Sequence, residues 1–286
     1  MHATKRLLLL AGLILGLAAL VTPLAGADTT GRIMFEPSTY TMGDINAQNG
    51  WLKTGAYDVA VANVATFPAA AGYGFDTQAL RISDSVTSGS FGDQTFSPGL
   101  LRPAGEGAMR IFDSSFRIGT TTAAEQPGLH TSVSPDDGNG ARMSYLRFED
   151  QVDGVHVLFD DVTNPGPIGA ESTWTETDIA TLSRTSAHSI GFWIKFNPGP
   201  HNDTVKIYVD GTKQITGSSW EDYYRYDAEQ IGNGNVVSPI SKMLFRASGT
   251  ANVGNNGNGF LVDGLSLNSL SISNSATPPV QVSIKH

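Results

Sequence analysis

The strongest constraint on this chain is a hairpin. His188 to Phe196 places Ile190, Phe192, Ile194 and Phe196 on one face and Gly191, Trp193 and Lys195 on the other, and Val205, Ile207 and Val209 alternate in the same way with Lys206, Tyr208 and Asp210. A period of two over such lengths is the mark of strands with one buried face. Asn197-Pro198-Gly199-Pro200 turns the first strand, and Asp210-Gly211 closes a tight hairpin after the second, because both central positions of that turn tolerate a left-handed backbone. The rest of the chain follows suit. Arg32 to Phe35, Gln78 to Ser83, Ala108 to Ile118, Met143 to Phe148, Val155 to Asp160, Lys242 to Arg246 and Phe260 to Ile272 read as further short strands. Between them lie turn clusters such as Pro135-Asp136-Asp137-Gly138-Asn139-Gly140 and Asn164-Pro165-Gly166-Pro167. Thr173 to Leu182 is ambiguous, since Thr175 and Asp178 have capping spacing, but its alternating threonines favour a strand. Many short strands without a sustained helical period predict an all-β, antiparallel sandwich.

The ends of the chain read differently. His2, Lys5 and Arg6 precede an apolar run from Leu7 to Val21 and a small-x-small site at Ala25-Gly26-Ala27, the pattern of a secretory leader; the alternative is a retained anchor, for which the run is short. The expected organisation is a signal peptide over residues 1–27, one sandwich domain over 28–274 and a Pro-containing tail or linker over 275–286. Lys5 and Arg6 fall in the leader, so 16 of the 18 basic residues remain against 27 acidic ones, a net charge of −11. Such a balance argues against nucleic acid, which needs clustered Lys and Arg, and against anionic membranes. Without a cysteine, thiol chemistry and cysteine zinc sites are excluded, and a body of this size folds without disulfides.

Two stretches carry a further resemblance. Ala187-His188-Ser189-Ile190-Gly191-Phe192-Trp193 through Val205-Lys206-Ile207-Tyr208-Val209-Asp210-Gly211, with Ser219-Trp220-Glu221-Asp222-Tyr223-Tyr224-Arg225 and Gly259-Phe260-Leu261-Val262-Asp263-Gly264, resemble the concanavalin A-like lectin/glucanase superfamily, in particular its laminin-G-like branch and an uncharacterised group of secreted bacterial proteins. The resemblance spans Phe35 to Ser273. It implies a jelly-roll sandwich whose concave sheet holds glycans in many members, which are lectins, hydrolases, lyases or structural modules; fold alone does not choose among them.

The residues bear unequally on the chemistries open to such a fold. A glucanase of this superfamily carries Glu-x-Asp-x-x-Glu on one strand, which is absent here; Glu149-Asp150, Asp160-Asp161 and Glu221-Asp222 lack that spacing, and adjacent acids on a strand face opposite ways. A lyase needs a cation and a proton-moving Tyr or His; Arg147, His156, Lys195 and Tyr208 are candidates if the register brings them together, and solvated strand residues otherwise. No Gly-x-Ser-x-Gly elbow and no His-Glu-x-x-His occurs. Non-catalytic sugar binding needs aromatic faces with polar partners, and Trp220, Glu221, Asp222, Tyr223, Tyr224 and Arg225 supply them, unless the rings instead plug the end of the sandwich. Glu36 and Asp263, near the first and last strands, are candidate ligands of a structural calcium ion or, alternatively, turn-capping acids. No cofactor is otherwise required. The leading reading is a secreted carbohydrate-binding or cell-surface recognition module with an extracellular glycan as partner. A polysaccharide lyase and a structural adhesin segment are the alternatives.

Overall fold

The computed structural model describes residues 26–88, 93–140, 144–247 and 250–272. The leader reading and the tail lie almost wholly outside the described residues. Among the described residues no helix is long and apolar enough to cross a membrane.

The first half of the chain forms strands β1 (Asp28–Ile33), β2 (Gly43–Asp44), β3 (Leu52–Lys53), β4 (Val59–Asn63), β5 (Gln78–Ile82), β6 (Gln94–Phe96), β7 (Ile111–Thr120) and β8 (His130–Asp136). The second half adds β9 (Tyr145–Gln151), β10 (Gly154–Thr163), β11 (Thr173–Leu182), β12 (His188–Lys195), β13 (Thr204–Val209), β14 (Thr212–Gly217), β15 (Lys242–Arg246) and β16 (Phe260–Leu270). They make two antiparallel sheets. A nine-stranded sheet runs β14-β13-β12-β7-β16-β5-β4-β2, with β1 also on β16, and a seven-stranded sheet runs β11-β10-β9-β8-β15-β6-β3. This is the all-β sandwich that the strand pattern predicts and that the superfamily resemblance implies.

Alternation dictates what faces inward. Ile190, Phe192 and Ile194 of β12 pair with Val209, Ile207 and Val205 of β13 and all six are buried. Opposite them the seven-stranded sheet contributes Leu146, Phe148, Val157, Phe159 and Phe245. The two layers lock through edge-on rings: Phe116 of β7 lies 6.1 Å from Phe245 and 6.3 Å from Phe148, which lies 6.2 Å from Phe260. Burial of each such ring contributes about 1.5–3 kcal/mol. A smaller apolar cluster of Val64, Tyr73, Phe75, Ala79 and Leu261 covers part of the outer face of the nine-stranded sheet. There Tyr73 packs so closely on β7 that a Cβ at Gly119 would sit 2.5 Å from its ring.

Thr173 to Leu182 is a strand throughout. Its hydrogen-bonded neighbour β10 satisfies the backbone that a capping box would otherwise serve. Five strands escape the sequence pattern: the short β2, β3 and β6, then Val59–Asn63 and His130–Asp136. The last contains Pro135, which a strand tolerates only where no ladder donor is needed. The structure supplies that position, because pairing with β9 runs from His130 only to Val133, leaving Pro135 with β15 alone. The aromatic stretch after β14 contains a single helical turn, Asp222–Tyr226, where a loop is expected from the sequence.

Candidate functional site

Three strands at one margin of the seven-stranded sheet carry an unusual outer face. In register across β9, β10 and β11 stand Tyr145, Asp160 and Glu176; the next row is Arg147, Leu158 and Asp178, and the one after it Glu149, His156 and Thr181. β9 and β10 contribute alternate residues and β11 keeps the same face through a bulge opposite Val157 and Leu158, so the pleat presents all of them on one side. Arg147 ties the rows together. Its Nε lies 3.0 Å from Glu149 Oε1 and its Nη2 is hydrogen-bonded to Glu176 Oε2. Trp174, two residues before Glu176, packs its ring 5.8 Å from that of Tyr145 at 50° and remains 38% exposed.

Asp160 is the most perturbed group on this face. It is only 7% exposed and its Oδ2 meets no hydrogen-bond donor. Burial pushes its carboxyl up to about 6; Arg147 and a hydrogen bond from Tyr145 oppose the shift, while Glu176 and Glu149 add to it. Burial likewise raises the Tyr145 phenol to about 12, with Asp160 adding. The result is a neutral or readily neutralised carboxyl beside an arginine-paired carboxylate, next to a half-open aromatic shelf. Such a set can cover the apolar face of a pyranose and hydrogen-bond its hydroxyls.

The four residues of the lyase reading do not converge. Arg147 and His156 lie on this outer face, whereas Lys195 of β12 and Tyr208 of β13 point outward from the nine-stranded sheet. The whole core separates the two pairs. His156 is also occupied at both ring nitrogens, by Asp178 Oδ2 at 2.5 Å and Asp153 Oδ1 at 2.8 Å, and these hydrogen bonds raise its pKa. An imidazole clamped in this way has no free nitrogen with which to take a substrate proton. Tyr208 is raised by burial and by Asp113, and its neighbourhood holds Lys206 stacked 4.6 Å over Trp193 instead of a substrate cation.

The residues of the aromatic stretch are interior. Trp220, Glu221, Tyr223, Tyr224 and Asp222 are 1, 1, 3, 4 and 5% exposed. Their faces close the end of the core and offer no platform to solvent. Asp222 accepts from the His201 amide at 2.9 Å and bonds its Nδ1 at 2.6 Å, and that imidazole stacks on Tyr226. Arg225 reaches Glu106 at 2.6 Å and Glu221 at 3.0 Å. Burial, then Asp203 and Glu106, lift the Glu221 carboxyl to about 8. Trp220, Tyr223 and Tyr224 fold here into a plug, the two tyrosines turned inward by a short helical turn, while Tyr226 stays half-buried against His201.

Glu36 and Asp263 approach one another, since β1 and β16 are neighbours. Asp263 sits where β16 leaves β5 for β1, at a register shift against β7. It is 1% exposed. Burial raises it to about 6, the Gly264 amide and then Arg32 oppose, and Asp76 and Glu36 add to the shift. Glu36 Oε1 accepts from the Gln78 amide at 3.1 Å. Among the described residues no group of three or more His, Asp or Glu side chains forms a metal cage. Asp263 and Glu36 are thus two carboxyl groups with the Arg32 guanidinium beside them.

Tyr145, Asp160, Trp174 and Glu176 were not singled out as site residues by the sequence. Tyr145, Arg147 and Glu149 alternate on one strand and Trp174, Glu176 and Asp178 on another, so each same-face set is visible. Which set lies beside which depends on pairing register, which no local pattern encodes.

No family model and no curated protein matches the chain. Solved structures resemble it in overall fold. The conserved carbohydrate esterase of the Shiga toxin-encoding bacteriophage phi24B is 14% identical over 86% of this chain and 100% of that one, with a TM-score of 0.45. The endo-β-1,4-glucuronan lyase of Trichoderma reesei is 17% identical over 78% and 90%, at 0.37. A galactose complex of the lectin UEA-II is 14% identical over 79% and 94%, at 0.38.

Proposed function

We propose that this is an exported carbohydrate-binding protein whose glycan lies along the outer face of the seven-stranded sheet, on the shelf of Trp174 and Tyr145. The observation that carries this reading is the in-register row of Tyr145, Asp160 and Glu176 with Arg147 beside it. Exposed aromatic area and fixed polar partners occur there together. Immobilised-polysaccharide retention and glycan arrays test it. Wild type is retained by at least one neutral or uronate-containing glycan, and Trp174→Ala weakens that binding about tenfold, roughly 1.4 kcal/mol. Unchanged retention by Trp174→Ala, or none by the folded wild type, would count against it and favour the structural adhesin.

Cleavage of the bound chain is a second reading. It draws on the Asp160 carboxyl, held neutral up to about pH 6, directly across from Glu176. A proton donor facing a second carboxyl group suits glycoside hydrolysis better than the lyase chemistry that is the sequence's catalytic alternative. New reducing ends that vanish in Asp160→Asn would establish it. Calcium at Asp263 and Glu36 is a structural proposal. At a concentration a hundredfold above Kd, calcium would stabilise the fold by about 2.7 kcal/mol, and Asp263→Asn would abolish that gain in a thermal melt.

A further inference from the structure

A second cluster lies apart from the glycan face, where the turn between β11 and β12 meets the β13–β14 hairpin. His188 Nδ1 is 2.7 Å from Asp210 Oδ2, and His188 Nε2 is 3.0 Å from Ser186 Oγ. A carboxylate against Nδ1 places the ring proton there, which leaves Nε2 to accept from the serine hydroxyl. Nucleophile, base and orienting acid therefore stand in the order and at the separations that acyl transfer requires. No sequence motif announces them, because Ser186 and His188 share one short turn and Asp210 arrives from another hairpin.

The three groups are held in place. Asp210 adopts a left-handed backbone at φ 48°, and its second oxygen accepts from the Ser189 amide at 2.8 Å. The turn bearing Ser186 is anchored by Arg184, whose Nε donates to the buried Asp150 at 2.7 Å and whose carbonyl accepts from Tyr73 Oη at 2.6 Å. Ser183 Oγ accepts from the Thr185 amide at 3.1 Å. The imidazole keeps 15% of its surface open and Ser186 is half-buried, so a substrate reaches the hydroxyl from solvent. Beside His188 the surface dips into a shallow recess walled by Ile118, Val155, Leu182 and Phe260, with room for about one water molecule, so the acyl group it can take there is a small one.

We infer that Ser186, His188 and Asp210 form a hydrolytic site for short acyl esters, distinct from the glycan face. Ser186 Oγ attacks the ester carbonyl as its proton passes to His188 Nε2. The bond from carbonyl carbon to alkoxy oxygen breaks, the alcohol leaves with that proton, and the acyl group stays on Ser186. Water then attacks the acyl-enzyme, giving its proton to His188; the carboxylic acid departs and the proton returns to Ser186. Asp210 is a positioning residue that keeps the proton on Nδ1 and stabilises the imidazolium.

The test is p-nitrophenyl acetate turnover with fluorophosphonate labelling of the full chain, mapped by mass spectrometry. Wild type is labelled at Ser186; Ser186→Ala and His188→Ala lower turnover on the order of 10²-fold or more. Asp210→Asn lowers the rate and moves the acid limb of the pH profile to lower pH, which a merely structural aspartate would not do. Ser186→Cys serves as an independent measure, because its alkylation by iodoacetamide near pH 7 is accelerated only if His188 faces the thiol. A folded wild type that is unlabelled at Ser186, a Ser186→Ala protein that turns over at the wild-type rate, or a Ser186→Cys thiol indifferent to His188→Ala would each overturn the inference. None of these results bears on retention of glycans by Trp174.

Discussion

Trp220, Tyr223 and Tyr224 lie within five residues of one another yet are each less than 5% exposed, whereas Trp174 and Tyr145 are 29 residues apart in the chain and meet on an outer face with Trp174 38% exposed. The difference comes from how each region is built. In the first, a five-residue helical turn rotates successive rings into the end of the core. In the second, strands on either side of β10 bring rings together that sequence keeps apart. Local aromatic density thus marks interior packing in this protein, and the exposed aromatic face is assembled across strands.

The largest expected effect separates the two regions by stability. Trp220→Ala should cost about 3–5 kcal/mol in urea unfolding through the cavity it leaves, and Trp174→Ala less than about 0.5 kcal/mol. Equal losses would erase the distinction between plug and shelf.

Acid groups in the two regions offer a finer contrast. Glu221 is raised to about 8 and Asp160 to about 6, so in the folded state each holds its proton to higher pH than in the unfolded chain. Stability from such groups is fully present below the unfolded pKa and is lost as pH rises through the folded one. Asp113, Asp136 and Asp263 are also pushed to about 6, so the window from about 6 to 8 is shared by Glu221 and the raised His156 imidazole. Unfolding free energies measured across that window should fall in wild type and fall less steeply in Glu221→Gln; an identical slope in the variant would remove Glu221 from the account. Asp160→Asn should flatten only the part below about 6.

The smallest effects concern the arginines. Arg225→Ala removes the partner of a buried carboxylate and should lower Tm without touching glycan retention. Arg147→Ala breaks a more exposed pair with Glu149 and Glu176. It should leave Tm nearly unchanged while weakening retention severalfold, as read by affinity electrophoresis.

Much of the scaffold is legible residue by residue. The alternation of Ile190, Phe192 and Ile194 against Val205, Ile207 and Val209, with Asp210-Gly211 as the turn, is sufficient to specify a half-buried hairpin, and repetition of such units specifies an antiparallel sandwich. The missed strand His130–Asp136 shows the limit, since Pro135 reads as a breaker unless its unpaired edge is known.

The sequence by itself determined which residues share a face of each strand, because side chains alternate with a period of two whatever the partner. Only the tertiary structure decided which strands lie side by side and in what register. That choice placed Arg147 and His156 on one sheet and Lys195 and Tyr208 on the other, and it set Asp160 against Glu176 and Ser186 beside His188 and Asp210. The physical reason is that pairing is won by burial summed over the whole core, a non-local quantity to which no single stretch of residues has access.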